Sequence, residues 1–302
     1  MANKRPKPFS RFAVMRSMNC FPFSVIPTVD IPEPRGLQFG TMGFVEFARD
    51  TPFVTVNNGL MLTFKQKKKV LPKSIIDRTL EKKKNSLETQ MGTLLPRKVI
   101  TELREEVIEE LLSVAMYEES FVRVMLLFNA GFVGNTLILC ESTATSDLEG
   151  IAKTLRLLNI KVESNKGFGE RFLNETSLDA LPQNIETFGE CVFEGVLKTD
   201  TRKATLKNYH LDPELIQHYI SDSMYFSKAN YKVWSGSDEG GFTLDSNGFF
   251  SKVDLLFDPE YDDLRDTYNV EQINILALMD FVMLLFTLVN YELLSTPSST
   301  QG

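Results

Sequence analysis

Two histidines, His210 and His218, lie eight residues apart, so on a helix both imidazoles would project from roughly one face. A metal site needs at least one further ligand at fixed spacing, and the neighbouring residues offer none in a recognisable pattern. Two carboxylate clusters, EEVIEE at 105–110 and DPEYDDLRD at 258–266, hold enough oxygens for a hard cation. Each reads more simply as solvated helix or loop charge. Cys20, Cys140 and Cys191 are far apart and form no CxxC pair, which argues against zinc and against a disulfide framework and favours a reducing cytoplasm. KGFGERF at 166–172 contains a Gly-x-Gly without the third glycine of a dinucleotide loop, and it reads as a turn. No P-loop, GxSxG, HExxH or EF-hand sequence occurs. These residues support no catalytic site, so neither an enzyme nor a bound cofactor or metal is expected.

Positive charge is a different matter. FKQKKKVLPKSIIDRTLEKKK, residues 64–84, places nine Lys or Arg among two acids. From Lys65 to Arg104 there are twelve basic and four acidic residues, a +8 segment in a chain of net charge −7, so the remainder carries −15. A pI near 5.1 excludes a uniformly basic nucleic-acid coat, but binding responds to the nearby field, which salt screens within about 10 Å. Solvated helix charge would explain one KKK run. Two runs, Lys67–Lys69 and Lys82–Lys84, bracket Lys73 and Arg78 and suit a polyanion equally well; on charge alone both readings stand. If the polyanion is nucleic acid, lysines with few aromatics imply phosphate contact without base reading. The acidic remainder would then confine DNA to one surface.

These lysines need a frame. At 302 residues, 43% hydrophobic and 24% charged, the chain has ordinary globular composition. Alternation predicts a strand in FSRFAVMRS (9–17), loop and edge structure in the four-proline stretch 19–36, and a hairpin in TPFVTVNNGLMLTFKQ (51–66) about Asn57-Asn58-Gly59. From Lys73 a helix is predicted, with Ile76, Leu80, Leu87, Met91 and Leu94 at roughly helical spacing and Gly92 weakening its end. A second helix starts at Pro96 and spans RKVITELREEVIEELLSVAM (97–116). It carries Val99, Ile100, Leu103, Val107, Ile108 and Leu111 on one face and Glu102, Glu105, Glu106, Glu109 and Glu110 on the other. Each helix would be about 30 Å long at 1.5 Å per residue, enough for a projecting two-helix arm.

A second hairpin is predicted in FVRVMLLFNAGFVGNTLILC (121–140), then a helix at 145–158 with Ser146 or Asp147 as N-cap, and a strand at 160–164. Residues 166–200 read as a glycine-rich start followed by short helical fragments. DPELIQHYIS (212–221) opens a helix with Asp212 as cap and Pro213 at its first position, and 227–257 reads as two or three antiparallel strands with a turn at Asp245–Gly248. Asn274, Asp280 and Asn290 interrupt the apolar stretch 273–294, whose uninterrupted run is about half the ~20 residues a membrane span needs. It is expected to be a buried or interface helix. The basic N-terminus lacks the apolar stretch of a signal peptide. The expected class is α+β with mixed antiparallel sheets: residues 1–72 together with 119–165 as a central domain, 73–118 as the arm, and 166–302 as a second α+β domain ending in the apolar helix.

NNGLMLTFKQKKKVLPKSIIDRTLE, LREEVIEELLSVAM, NTLILCESTATSDLEGIAKTLRLL and GFTLDSNGFFSKVDLLF, in that order and spacing, resemble the recombination-associated protein RdgC family. The resemblance implies a non-enzymatic, ring-shaped homodimer whose basic inner wall encircles double-stranded DNA with little sequence preference. It also implies restraint of a RecA-type recombinase, a cytoplasmic, nucleoid-associated location and no membrane partner. The DNA-binding residues expected on this basis are Lys65, Lys67, Lys68, Lys69, Lys73, Arg78, Lys82, Lys83, Lys84, Arg97 and Lys98, with Lys207. Lys65 and Lys69 match basic family positions before Leu71-Pro72, whereas Lys67 and Lys68 are additional charge. The dimer contacts implied are Val114, Met116 and Tyr117 at the arm's end, where Met116 replaces a family aromatic, and Asn208 with Tyr209, where Asn208 replaces a basic residue. The alternative is a protein that inhibits a recombination or repair protein such as a nuclease without DNA, using its acidic C-terminal third. Between Asp254 and Glu292 that region has nine acids and one arginine.

Overall fold

A computed structural model describes residues 9–17, 26–47, 51–128, 136–164, 169–170, 172–173, 185–197, 200–209, 218–219, 224–235, 238–254 and 269–288. In chain order these form β1 (Arg11–Ser17), β2 (Gly40–Val45), β3 (Val54–Val56), β4 (Gly59–Lys69), α1 (Lys73–Met91), α2 (Arg97–Val114), β5 (Tyr117–Phe128), β6 (Thr136–Cys140), α3 (Thr145–Leu157), β7 (Val162–Ser164), β8 (Ile185–Leu197), β9 (Asp200–Tyr209), β10 (Tyr225–Ser235), β11 (Asp238–Asp245), β12 (Phe249–Asp254) and α4 (Val270–Leu288). The strand ladders are antiparallel, and the α+β class stands. Two compact units divide the chain: residues 1–26, 47–62 and 123–302, and residues 27–46 and 63–122. Strands β4 and β5 each have residues in both.

In the first unit the strands run in the order β5, β6, β1, β12, β11, β10, β8, β9, with β3 on the start of β4 and β7 on β1. Asn57 takes a left-handed φ of 49° in the β3–β4 turn, as the Asn-Asn-Gly sequence predicts. Between β11 and β12, Asp245 Oδ1 accepts from the backbone N–H groups of Asn247 (2.9 Å) and Phe249 (3.0 Å), and Gly248 supplies φ 80°. Burial pushes the Asp245 carboxyl above its usual range despite these bonds. Pairing of β1 with β12 sets Phe12 opposite Phe250, and their rings stack at 4.7 Å. Phe242 meets Phe281 of α4 edge-on at 5.9 Å. Ile275, Leu278, Phe281 and Val282 of α4 are buried, as its apolar run requires. No described helix is long and apolar enough to cross a membrane.

Two expectations for this unit change. Residues 185–197 are a 13-residue strand, followed by β9, and not helical fragments. Register shifts on both sides of β8, at Gly189/Cys191 and near Lys228 and Tyr231, break the two-residue alternation that marks a strand in sequence. Helix α3 has Ala144 as its N-cap without a side-chain cap bond; Asp147 instead accepts from the Ser142 hydroxyl at 2.6 Å. The helix expected from Asp212 lies outside the described residues, apart from a helical turn at His218–Tyr219.

The second unit holds β2, the later part of β4, α1, α2 and the start of β5. Phe44 pairs with Phe64 across β2 and β4, the rings meeting edge-on at 5.7 Å. Helix α1 follows Pro72 and stops at Gly92, whose φ of 66° closes a bond from its N–H to Glu88 O, so Gly92 ends the helix rather than weakening it. Buried Leu103, Val107 and Leu112 form the inner seam of α2, while α1 buries Ile76. Helix α2 ends at Val114, two residues before the expected end, because Met116 is taken up by the backbone: Val70 N–H donates to its carbonyl at 3.0 Å.

Candidate nucleic-acid interface

Strand β4 continues to Lys69, three residues beyond the predicted hairpin. Strand alternation therefore sorts its lysines: Lys65, Lys67 and Lys69 point to one side and Lys68 to the other. The first three are all engaged. Lys65 Nζ lies 2.9 Å from Glu119 Oε2 and Lys67 Nζ lies 3.5 Å from Oε1 of the same carboxylate on β5. The Lys65 hydrogen bond holds the Glu119 carboxyl below its usual range, helped by the charges of Lys65 and Lys67. Lys65 also sits 5.1 Å from the Phe121 ring centroid and Lys67 5.5 Å from that of Tyr117. The Tyr117 hydroxyl donates to Glu33 at 2.6 Å, which raises its pKa.

Lys69 is 7% exposed. Its ammonium donates to the carbonyls of Gly36 and Leu112, each at 2.6 Å, so it ties the loop before β2 to the last turn of α2. There, among the described residues, the Leu112 carbonyl otherwise accepts only a long 3.4 Å bond from the Ala115 N–H. Lys68, on the opposite side of the strand, is exposed.

On α1, Lys73, Arg78 and Lys82 are exposed and have no ion-pair partner among the described residues. Arg78 and Lys82 are four residues apart and share a face turned away from the Ile76 seam. Lys83, one residue on, points to α2 and bonds Glu110 at 2.7 Å and Glu106 at 3.0 Å. These bonds, that to Glu110 first, raise its pKa. Lys84–Glu88 at 3.9 Å, Lys98–Glu102 at 4.0 Å and Arg104–Asp77 at 3.6 Å are looser surface pairs. Arg97 is exposed at the start of α2 without such a partner among the described residues. The hairpin thus has a cationic α1 face and a carboxylate-rich α2 face, joined by Lys83.

Val114 and Met116 are exposed, Met116 to 85%, as are Leu37, Phe39 and Val70. Backbone bonds bring this set together: Lys69 N–H to Phe39 O at 2.8 Å and Val70 N–H to Met116 O. Phe39 and Val70 were not anticipated; their neighbourhood depends on β2–β4 pairing across some thirty residues. Glu119 was also missed, for the same reason of register. In the other unit, Lys207 is exposed on β9. Asn208 and Tyr209 complete that strand, Tyr209 opposite Gly189, and their side chains lie outside the described residues.

Among the described residues no group of three His, Cys, Asp or Glu is placed to hold a metal. His210 and the DPEYDDLRD cluster fall outside them, and His218 is exposed. Cys140 and Cys191 are buried; burial pushes both thiols up, Cys191 to about 12, which removes them as thiolate nucleophiles near neutrality.

The RdgC family profile, described as "Putative exonuclease, RdgC", matches residues 30–267. The "Recombination-associated protein RdgC" of Laribacter hongkongensis (strain HLHK9) is 32% identical over 103 residues, which are 33% of this chain and 34% of that protein. The chain thus aligns with about a third of the length of this curated relative. The family profile covers most of the chain, from the loop before β2 to beyond β12, and the protein belongs to the RdgC family.

Proposed function

We propose that this protein binds duplex DNA through phosphate contacts without sequence preference and acts in homologous recombination by restraining a RecA-type recombinase. The observation that carries the proposal is the set of exposed cations without an ion-pair partner among the described residues, Lys68, Lys73, Arg78 and Lys82, all in the second unit. Such groups gain most from phosphate, because no carboxylate has to be given up. Arg97 extends the set. Lys84 and Lys98 join it by exchanging weak surface pairs, and Lys83 does so less readily because Glu106 and Glu110 both hold it. Lys69 is left out: a buried ammonium bound to two carbonyls cannot present itself to DNA. Lys207, exposed in the first unit, is a separate phosphate contact. Membership of the RdgC family and the name of the Laribacter relative support the link to recombination.

The protein acts as a two-fold homodimer closed into a ring, and its role is binding rather than chemistry. The exposed apolar set around Met116 is the surface offered to the second copy, and closed symmetry doubles the cationic face. The topological test is retention on DNA after a high-salt wash. Retention on covalently closed circles and release on linearisation is expected; equal release from circles and linear fragments overturns the ring. Labelled duplex incubated with Mg²⁺ or Mn²⁺ should stay intact, and release of mononucleotides would establish instead the exonuclease of the family description. A partner captured equally well from nuclease-treated extract would favour a protein-directed inhibitor.

A further inference from the structure

Lys65 and Lys67 grip Glu119 in a particular way. Each ammonium takes a different carboxylate oxygen, Oε2 at 2.9 Å and Oε1 at 3.5 Å. Two cations holding the two oxygens of one anion is also how a phosphodiester's pair of non-bridging oxygens is held. The Glu119 side chain is 36% exposed, while those of Lys65 and Lys67 are 18% and 11% exposed. The carboxylate therefore lies on the solvent side, and the site opens through it. Phe121 and Tyr117 stand beside the two ammonium groups, with ring centroids 5.1 and 5.5 Å away, and their ring faces favour cations there. Lys69, the next lysine on this side of β4, is fixed by Gly36 and Leu112, which anchors the strand end without supplying a competing charge.

We propose that Lys65 and Lys67 form a phosphate site that Glu119 fills in the free protein, and that a duplex phosphate gains the site by displacing this carboxylate. Glu119 then sets the affinity. The inference rests on the DNA-binding reading above and adds a site whose lysines are silent until the internal anion leaves. One consequence separates it from simple charge counting. In the wild type, replacing Lys65 and Lys67 costs little affinity, because displacement of Glu119 already cancels most of their gain. In a Glu119→Gln background the same replacement costs much more.

The test measures binding of a labelled 30-base-pair duplex across a salt series by four proteins: wild type, Glu119→Gln, Lys65→Gln/Lys67→Gln, and the combined triple variant. Glu119→Gln should bind about tenfold tighter at low salt, the size of one charge-assisted contact. Its log–log salt slope should be steeper by about 0.9, because no displaced carboxylate takes back a cation when the phosphate binds. The double variant should stay within about twofold of wild type, and the triple variant should lose the gain, a coupling expected of groups in direct contact. Lysine acetylation followed by mass spectrometry gives a readout without DNA: Lys65 and Lys67 should react faster in Glu119→Gln, while Lys68 is unchanged. Wild-type binding with no gain in Glu119→Gln, while its melting temperature matches wild type, overturns this inference alone. Absence of duplex binding by wild type and Glu119→Gln alike overturns the DNA-binding reading and this inference together.

Discussion

Replacing Lys69 by methionine separates a structural lysine from a DNA-binding one. The change keeps an unbranched side chain and removes the ammonium that bonds the Gly36 and Leu112 carbonyls, each at 2.6 Å. Hydrogen bonds to a charged group contribute about 1.5–3 kcal/mol each, so two give roughly 3–6 kcal/mol. An ammonium that no longer has to be desolvated returns part of this. The net loss is about 2–4 kcal/mol, with the carbonyl of buried Leu112 left only the long 3.4 Å bond from the Ala115 N–H. For a chain of this size roughly 2–4 °C of melting temperature accompanies each kcal/mol, so a fall of about 5–15 °C is expected. Thermal and urea denaturation measure it, alongside duplex binding at a temperature where both proteins are folded. Binding per folded molecule should stay within about twofold of wild type, less than the tenfold of one charge-assisted contact. A variant that melts like wild type but binds DNA several-fold more weakly would refute the assignment and return Lys69 to the phosphate surface.

Tyr231 is buried among Phe172 and Phe242, and its hydroxyl has no hydrogen-bond partner among the described residues. Tyr231→Phe should therefore be neutral or stabilising by up to about 1 kcal/mol; a loss beyond about 1 kcal/mol in urea denaturation would contradict the unpaired hydroxyl. Tyr117 has a raised pKa because its hydroxyl donates to Glu33. Its contribution to stability is complete below about pH 10 and is lost as pH rises through the raised folded value. Tyrosinate absorbance of wild type minus Tyr117→Phe should show a midpoint above the ordinary tyrosine range, and a midpoint at or below it would exclude the bond. Met116→Asp places a charge in the exposed apolar set and should convert dimer to monomer in sedimentation, raising the dimer dissociation constant at least about tenfold, since an unpaired interfacial charge costs more than 1.4 kcal/mol. An unchanged mass distribution would remove Met116 from the contact.

The hairpins and the helical pair were legible because each follows local rules: an Asn-Asn-Gly turn, an Asp-Ser-Asn-Gly turn, and apolar residues at helical spacing on both sides of Gly92-to-Pro96. Strand β8 was not legible. Its glycines and bulges reset the alternation midway, and its partners β9 and β10 lie in other stretches of the chain. The basic segment was visible as a charge excess, but not which lysines are available. That sorting needed two facts absent from the segment itself. One is that β4 runs through Lys69, which sets the sides of the strand. The other is that β5 brings Glu119 beside Lys65 and Lys67 from more than fifty residues away. Lys83 and Lys82 make the same point on a helix: neighbours in sequence, one meets Glu106 and Glu110 while the other faces solvent.

The central claim is that free cations on β4 and α1 hold duplex phosphates. Its most direct test is the salt dependence of duplex binding for Lys68→Gln/Arg78→Gln/Lys82→Gln beside Lys83→Gln/Lys84→Gln/Lys98→Gln, two variants of equal charge change. At about 0.9 in log–log slope per phosphate contact, the first should flatten the wild-type slope by about 2.7. The second should flatten it by less than about half as much, since its lysines already hold carboxylates. Equal flattening in both would mean that only total charge matters, and no flattening in the first would place the DNA elsewhere.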